Sequence, residues 1–411
     1  MEQKASVHII GAGVSGLIAA YELEQAGYHP VILEKQGTCG GRIQTIKVED
    51  YQLDLGFQVL LSAYPLAQKY LDLEALLLRK LEPGAQILVD GKRFVIGDPL
   101  RNWKVLLPTI FSGIGSVRDK LKVVKLNFDL KKKSLDEIFS SPEVTTLEYL
   151  RTLGFSETII TRFFKPFFSG IFLETELQTS SRMFEFVYKM FGEGHAMIPQ
   201  DGIGAISEQL KAKLINTTFR FNCEVQSLNS TVITLENGEL IPHQGTIVTA
   251  NAAALIPNLT DAETKWKSCM CLYFEVDNTS IPPETIALIA DEGKMSNNLY
   301  AYQDKKGRII LSVTTLKHRG VSEEEVTAMI AHEVQTYCTT GTPKHIKNFT
   351  ISQALPQLTN LKYTSEPSAS LVTDTIFHAG DTLFNGSLNA AMESGRLAAE
   401  GFIEKKSGWF R

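Results

Sequence analysis

The chain has 411 residues, 44% of them hydrophobic and 21% charged, which is enough for two or three domains at about 150 residues each and too apolar for a disordered chain. A net charge of −5 argues against a general nucleic-acid binder, and no apolar run is long enough to span a bilayer. Five cysteines without a CxxC pair leave one unpaired in any full disulfide scheme, so a reduced, cytoplasmic setting is expected.

The first predicted elements form a strand–helix–strand unit. Val7-His8-Ile9-Ile10 runs into Gly11-Ala12-Gly13-Val14-Ser15-Gly16, an alanine-rich helix follows, and the next strand ends Val31-Ile32-Leu33-Glu34. Val14, Leu17, Ile18 and Tyr21 recur at helical spacing, and Gly27 suits a helix C-cap. Gly11 allows a sharp turn out of the strand, Gly13 removes a Cβ that would block a pyrophosphate, and Gly16 lets helix and strand pack closely. The helix start offers free N–H groups and a positive dipole end to an anion. Glu34 lies 18 positions after Gly16 (34 − 16). That is close to the ~20 expected of the acid that hydrogen-bonds a ribose 2′-OH. An acid there repels a 2′-phosphate, so the ligand is FAD or NAD rather than NADP.

Lys35-Gln36-Gly37-Thr38-Cys39-Gly40-Gly41-Arg42 follows, and then Leu53-Asp54-Leu55-Gly56-Phe57-Gln58. Paired glycines let backbone approach a second face of a diphosphate, and Arg42 offers a fixed fork of donors to its oxygens. With these motifs the chain resembles the flavin-containing amine oxidoreductases, which include monoamine oxidases, protoporphyrinogen oxidases and phytoene desaturases. The resemblance implies FAD, held by Gly11, Gly13, Val14, Ser15, Gly16, Glu34, Lys35, Gly40, Gly41, Arg42, Gly56, Phe57 and Gln58.

Farther along, 76–194 reads as a largely helical insert, with helical spacing from Asp136 to Phe139, Thr145 to Leu153 and Ser180 to Met190. Between Arg101 and Lys133 stand nine basic residues and two acids, a balance of +7, interleaved with Trp103, Leu106, Leu107, Ile110, Phe111 and Ile114. Two readings apply, a peripheral contact with anionic lipid or a solvated face. Phe163-Phe164-Lys165-Pro166-Phe167-Phe168, with Phe172, Phe184 and Tyr188, is dense in aromatics. Phe167, Phe168, Phe172, Phe184, Tyr188 and Phe384 are candidates to line an apolar substrate cavity over the flavin, the alternative being that the rings form the core of the insert.

The segment 261–349 reads as a second insert, with strands over Trp266 to Val276, Thr285 to Ala290, Asn298 to Tyr302 and Arg308 to Thr314, then a helix over Ser322 to Tyr337. Glu224-Val225 and Thr246 to Ala250 match the family's adenine-contacting segment and the strand that re-enters the FAD domain. Near the C-terminus come Phe377-His378-Ala379-Gly380-Asp381 and Gly386-Ser387-Leu388-Asn389-Ala390-Ala391. In the family this Gly-Asp holds the ribityl chain and the following helix points its N-terminus at the flavin, which implies roles for Val225, Gly380, Asp381, Ser387, Leu388 and Ala391. The expected fold is α/β, a Rossmann-type, glutathione-reductase-like FAD-binding domain in three pieces (1–75, 195–260, 350–411) with an inserted α+β substrate domain (76–194, 261–349).

Eight histidines lack HExxH or paired Cys/His spacing, so no metal is expected, and GxSxG is absent. A single dinucleotide fingerprint disfavours a built-in NAD(P)H domain, so electrons should leave to O2, a quinone or another external acceptor. The monoamine-oxidase pattern is incomplete. Phe384 or Asn385 stands where that pattern has an aromatic, and Lys265 and Lys267 do not align cleanly with its lysine before Ser268-Cys269-Met270-Cys271-Leu272-Tyr273-Phe274. Thr364 to Leu371 holds no cysteine for a flavin link, and Cys39 lies in the nucleotide loop, so noncovalent FAD is expected. The expected function is hydride removal from a hydrophobic small-molecule substrate, at a C–C or C–N bond. A true amine oxidase is the alternative, and a non-catalytic FAD-binding scaffold or partner subunit is the alternative of another class.

Overall fold

The computed structural model describes residues 7–97, 114–256 and 264–408. The basic segment read above from 101 to 133 therefore falls outside the described residues up to 113.

Short apolar runs build the first sheet. Val7–Ile10 is fully buried and pairs in parallel with Pro30–Leu33 on one side and Thr246–Val248 on the other. Thr218–Arg220 extends one side and Ile376–His378 the other, both in parallel, and Leu371–Thr373 closes the edge antiparallel. Across the sheet the five parallel strands run third, second, first, fourth, fifth in chain order. The strand order reverses between Val7–Ile10 and Thr246–Val248, which stay parallel, and the crevice outside the carboxyl ends of such a pair is where open α/β sheets bind ligands. Helices Val14–Gln25 and Leu388–Ser407 pack against one another here. Gly395 permits it, because a Cβ there would stand 2.2 Å from the Ser15 carbonyl oxygen.

The second sheet has seven strands, in the order Lys344–Pro356, Trp266–Val276, Ile309–Thr315, Ser296–Gln303, Ile286–Ile289, Gly84–Val89 and Lys92–Gly97. Only the Ile286–Ile289 to Gly84–Val89 pairing is parallel. Alternation along Trp266–Val276 sends Leu272 and Phe274 to one face, where Val326, Ile330 and Val334 of helix Glu323–Cys338 cover them. Cys271 and Tyr273 face the other way, onto Tyr51 and Leu53 of the two-stranded hairpin Thr45–Val48 and Tyr51–Asp54. Lys344–Pro356 stays in this sheet as far as Pro356, beyond the expected boundary at 350.

The helical segment is punctuated by local signals. Ser116 with Asp119, Ser134 with Glu137 and Thr145 with Glu148 each form a reciprocal capping box, starting helices Val117–Lys132, Leu135–Ser140 and Thr146–Thr152. Pro166 lacks an N–H and its ring crowds the preceding turn, and there the helix widens to a π-turn over Ile160–Phe164 before continuing as Lys165–Phe172. Ser181–Glu193 packs against it through Phe184 and Phe191.

The expected aromatic cavity needs correction. Phe168, Phe172 and Phe184 have 0% exposure, with Phe168 4.6 Å from Phe184 and 5.2 Å from Phe172 between ring centroids, so these rings are core. Phe384 is buried too, against Ala390 and Leu397. Phe167 and Tyr188 keep part of their surface, Tyr188 stacked on Phe184 and Phe167 edge-on to Phe191.

Candidate functional site

Each glycine of the first loop answers a separate demand. Gly11 has φ +105°, and a Cβ there would stand 2.7 Å from Thr249 Oγ1. At Gly16 a Cβ would meet the Gly11 carbonyl oxygen at 2.1 Å. Gly13 differs, since its φ of −74° is ordinary and a Cβ would meet nothing within 4 Å. Open space there, at a helix start with no side-chain cap and no acid in its first turn, is a cradle for an anion. By helix geometry the N–H groups of Val14, Ser15 and Gly16 have no intrahelical acceptor.

The loop 37–42 lies alongside this cradle. Gly40 N–H donates to the Ala12 carbonyl at 2.9 Å, and Gly41, with φ +60°, would set a Cβ 3.3 Å from Gly13 Cα. The Glu34 carboxylate is buried, one oxygen accepting from Ala12 N–H at 2.7 Å and the other from Gln36 N–H at 2.8 Å. Those bonds fix its orientation while leaving lone pairs to accept from hydroxyls. Lys35 is exposed, and Val225 is buried beside Ile10, Leu33 and Val248.

Two motifs 339 residues apart meet directly, as Arg42 pairs with the buried Asp381 carboxylate. The Arg42 guanidinium also lies over the Trp266 ring, 5.2 Å from its centroid, which brings the inserted sheet to the same point. Gln58 Nε2 donates to the Arg42 carbonyl at 2.8 Å, and Gly56, with φ +91°, leaves room for Ile351. Phe57 sits 5.3 Å from Tyr300 of the inserted sheet. Gly380 has extended backbone and donates its N–H to Ser394 Oγ at 3.0 Å, which in turn lies 3.2 Å from Ser15 Oγ. Ser387 caps its own helix, accepting from Ala390 N–H at 3.0 Å, with Leu388 and Ala391 half-buried in the first turns.

The structure thus gathers the glycine loop, Glu34, Gly40 to Arg42, Gly56 to Gln58 and Gly380-Asp381 around one crevice. Trp266 and Ser394 join them without having been singled out from the sequence. Trp266 gave no signal beyond opening a strand, whereas Ser394 stands one residue before the glycine that allows close helix packing.

Lys267 takes the opposite face from Trp266. Its amine donates to the Phe172 carbonyl at 3.0 Å and to Thr179 Oγ1 at 2.9 Å, and burial holds its pKa below the usual lysine value. Cys39 donates to Glu208 at 3.3 Å, and burial pushes its thiol up to about 12. All five cysteines are free and buried.

A parallel sheet with this strand order, a glycine loop at its switch point and a buried acid closing the second strand are the architecture of a nucleotide-binding α/β fold, here with an inserted second sheet. Comparison makes this specific: residues 14–402 match the model of the flavin-containing amine oxidoreductases, and the chain belongs to that family. Among curated relatives, protoporphyrinogen oxidase 2, chloroplastic/mitochondrial, of Arabidopsis thaliana is 28% identical over 40% of this chain and 32% of its own length. A 1-hydroxycarotenoid 3,4-desaturase of Flavobacterium sp. is 27% identical over 59% of this chain and 55% of its own. The chain thus matches between about a third and about half the length of these two relatives. The fold is shared with solved structures over nearly the whole length. A putative protoporphyrinogen oxidase from Exiguobacterium sp. has TM-score 0.70 and 18% identity over 98% of this chain and 99% of that one. A putrescine oxidase bound to putrescine has TM-score 0.68 and 14% identity over 97% and 99%.

Proposed function

We propose that the chain binds FAD noncovalently and is an oxidoreductase that takes a hydride, with loss of a proton, from an apolar substrate at a C–C or C–N bond, returning electrons to O2, a quinone or another external acceptor. The observation that carries this reading is the convergence of Gly13, Arg42, Asp381 and Trp266 at the switch point of the first sheet. The donor set fits FAD: the helix start and Gly40-Gly41 for the diphosphate, Glu34 for the adenosine ribose, Asp381 for the ribityl hydroxyls, and the helix after Ser387 for the flavin end. When bound, FAD supplies a hydride acceptor.

Beyond Arg42 the wall turns apolar. Phe57, Val59, Phe167, Tyr300 and Tyr302 belong to one hydrophobic cluster joining the segment after Gly56 to the inserted sheet. Such a wall excludes water and suits a substrate with little polarity. Burial pushes the Tyr300 and Tyr302 hydroxyls above the usual tyrosine value, so neither is a base near neutral pH. A reaction that asks little of side-chain acids or bases is favoured, as is a desaturase or oxidase over a true amine oxidase. Lys267 supports the same ranking, because its amine is committed to Phe172 and Thr179.

The test is anaerobic mixing of the yellow protein with candidate polyenes, porphyrinogens and amines, followed at the flavin absorbance. Bleaching by a polyene or porphyrinogen is the expected result. Bleaching by amines alone would favour the amine oxidase, and reduction by dithionite but by no organic compound would favour a non-catalytic FAD-binding subunit.

A further inference from the structure

Helix Val117–Lys132 has two apolar faces. Leu126 and Leu130 are buried, with Val123 half-buried beside them, and this face packs on Ser181–Glu193. Val117, Leu121, Val124 and Phe128 form the other, at i, i+4, i+7 and i+11, within about 60° of arc at the pitch of an α-helix. That stripe faces water, with Val117 and Leu121 66% exposed and Phe128 61% exposed.

The helix is held so that this stripe cannot turn inward. Asp119 closes the capping box and accepts from Ser156 N–H at 2.9 Å and Ser156 Oγ at 2.8 Å. At the other end the buried Lys189 amine donates to the Leu130 and Lys131 carbonyls at 2.9 and 3.2 Å, and Lys133 pairs with Glu185 at 2.5 Å. By helical position, Lys120 and Lys131 border the stripe on one side, and Arg118, Lys125 and Lys132 on the other. The helix carries six cations and two acids, Asp119 and Asp129, and Asp119 is buried in the cap. Lys132 lies over the Phe128 ring, 5.1 Å from its centroid. Among the described residues no carboxylate pairs with Arg118 or Lys131.

We propose that this helix is a docking surface for an anionic lipid bilayer. It lies in the plane of the interface, with Val117, Leu121, Val124 and Phe128 in the acyl boundary and the flanking cations among headgroup phosphates. Charge selects the occupant, since a second copy seated on the stripe would set lysine rows against lysine rows, whereas an anionic headgroup layer complements them. The contact is interfacial, as no helix among the described residues is long and apolar enough to cross a membrane. This surface stands on its own geometry, so its failure would leave the FAD reading untouched.

The experiment is co-sedimentation of the full-length flavin-loaded protein with vesicles of phosphatidylcholine alone and of phosphatidylcholine with phosphatidylserine, at low and high salt. Partition onto the anionic vesicles should be stronger by roughly tenfold or more and should weaken with salt. Both the Leu121→Ser/Phe128→Ser pair and the Arg118→Glu/Lys131→Glu pair should lose it while keeping the unfolding temperature and flavin spectrum. Equal sedimentation of the wild-type protein with the two vesicle types, or retained binding by both double variants, would overturn the proposal. Concentration-dependent self-association that replaces vesicle binding and disappears in Leu121→Ser/Phe128→Ser would also overturn it.

Discussion

Gly13 and Gly16 stand in one loop yet serve different ends, and substitution separates them. Gly13 has ordinary backbone and open space beyond its Cα, so Gly13→Val should fold normally and lose flavin. Equilibrium dialysis should show affinity for FAD down by about tenfold or more, equivalent to 1.4 kcal/mol or more. Gly16→Ala instead drives a methyl into the Gly11 carbonyl oxygen and should cost about 1–3 kcal/mol in denaturant unfolding. Two buried histidines add a pH response. His8 and His243 both have pKa values held below 6.5, chiefly by desolvation, with His8 also disfavoured by the nearby His243 and Arg220 charges. A lowered folded-state value means the unfolded chain binds more protons, so their contribution is fully present above 6.5 and is lost as pH falls toward the folded-state values. Urea unfolding should show stability declining on acidification through that window, and His8→Gln should flatten the decline.

At the scale of elements, much of the architecture was open to sequence reading where one local demand dominates. The glycine loop was legible because its steric requirements sit within a few residues, and Trp266–Val276 because its apolar residues fill a buried central strand. Lys344–Pro356 was missed for the converse reason. As an edge strand it leaves Lys344, His345, Lys347 and Thr350 outward and lacks alternation. Helix Val117–Lys132 read as a charge run because apolar residues on two opposite faces blur any single period. The aromatic run was ambiguous since core and cavity use the same rings, and burial alone decides for Phe168, Phe172 and Phe184. Docking of the basic helix rests on Glu185, which accepts from Lys133 at 2.5 Å and Tyr149 at 2.6 Å. Glu185→Ala strands both donors and should cost about 2 kcal/mol, less than for a fully buried pair because Lys133 keeps part of its surface in water. Thermal or urea unfolding checks the value, and protease cutting near Lys133 should quicken.

Across the whole molecule, distant motifs become a site only through topology. Arg42 and Asp381 carry no signal of each other along 339 residues, yet the strand order of the first sheet delivers both to its switch point. The inserted sheet has its own core under Glu323–Cys338 and reaches the same point through Trp266 and Tyr300, whereas the helical segment shares one core with the first sheet. None of the five buried cysteines stands between Thr364 and Leu371. The most direct test of this assembled site is acid precipitation of the purified protein, with mass spectrometry of the supernatant. FAD should appear there in near-equal amount to the chain, with a colourless pellet, and should be missing from Gly13→Val. FMN or NAD in its place, yellow colour kept in the pellet, or full FAD content in Gly13→Val would contradict the account.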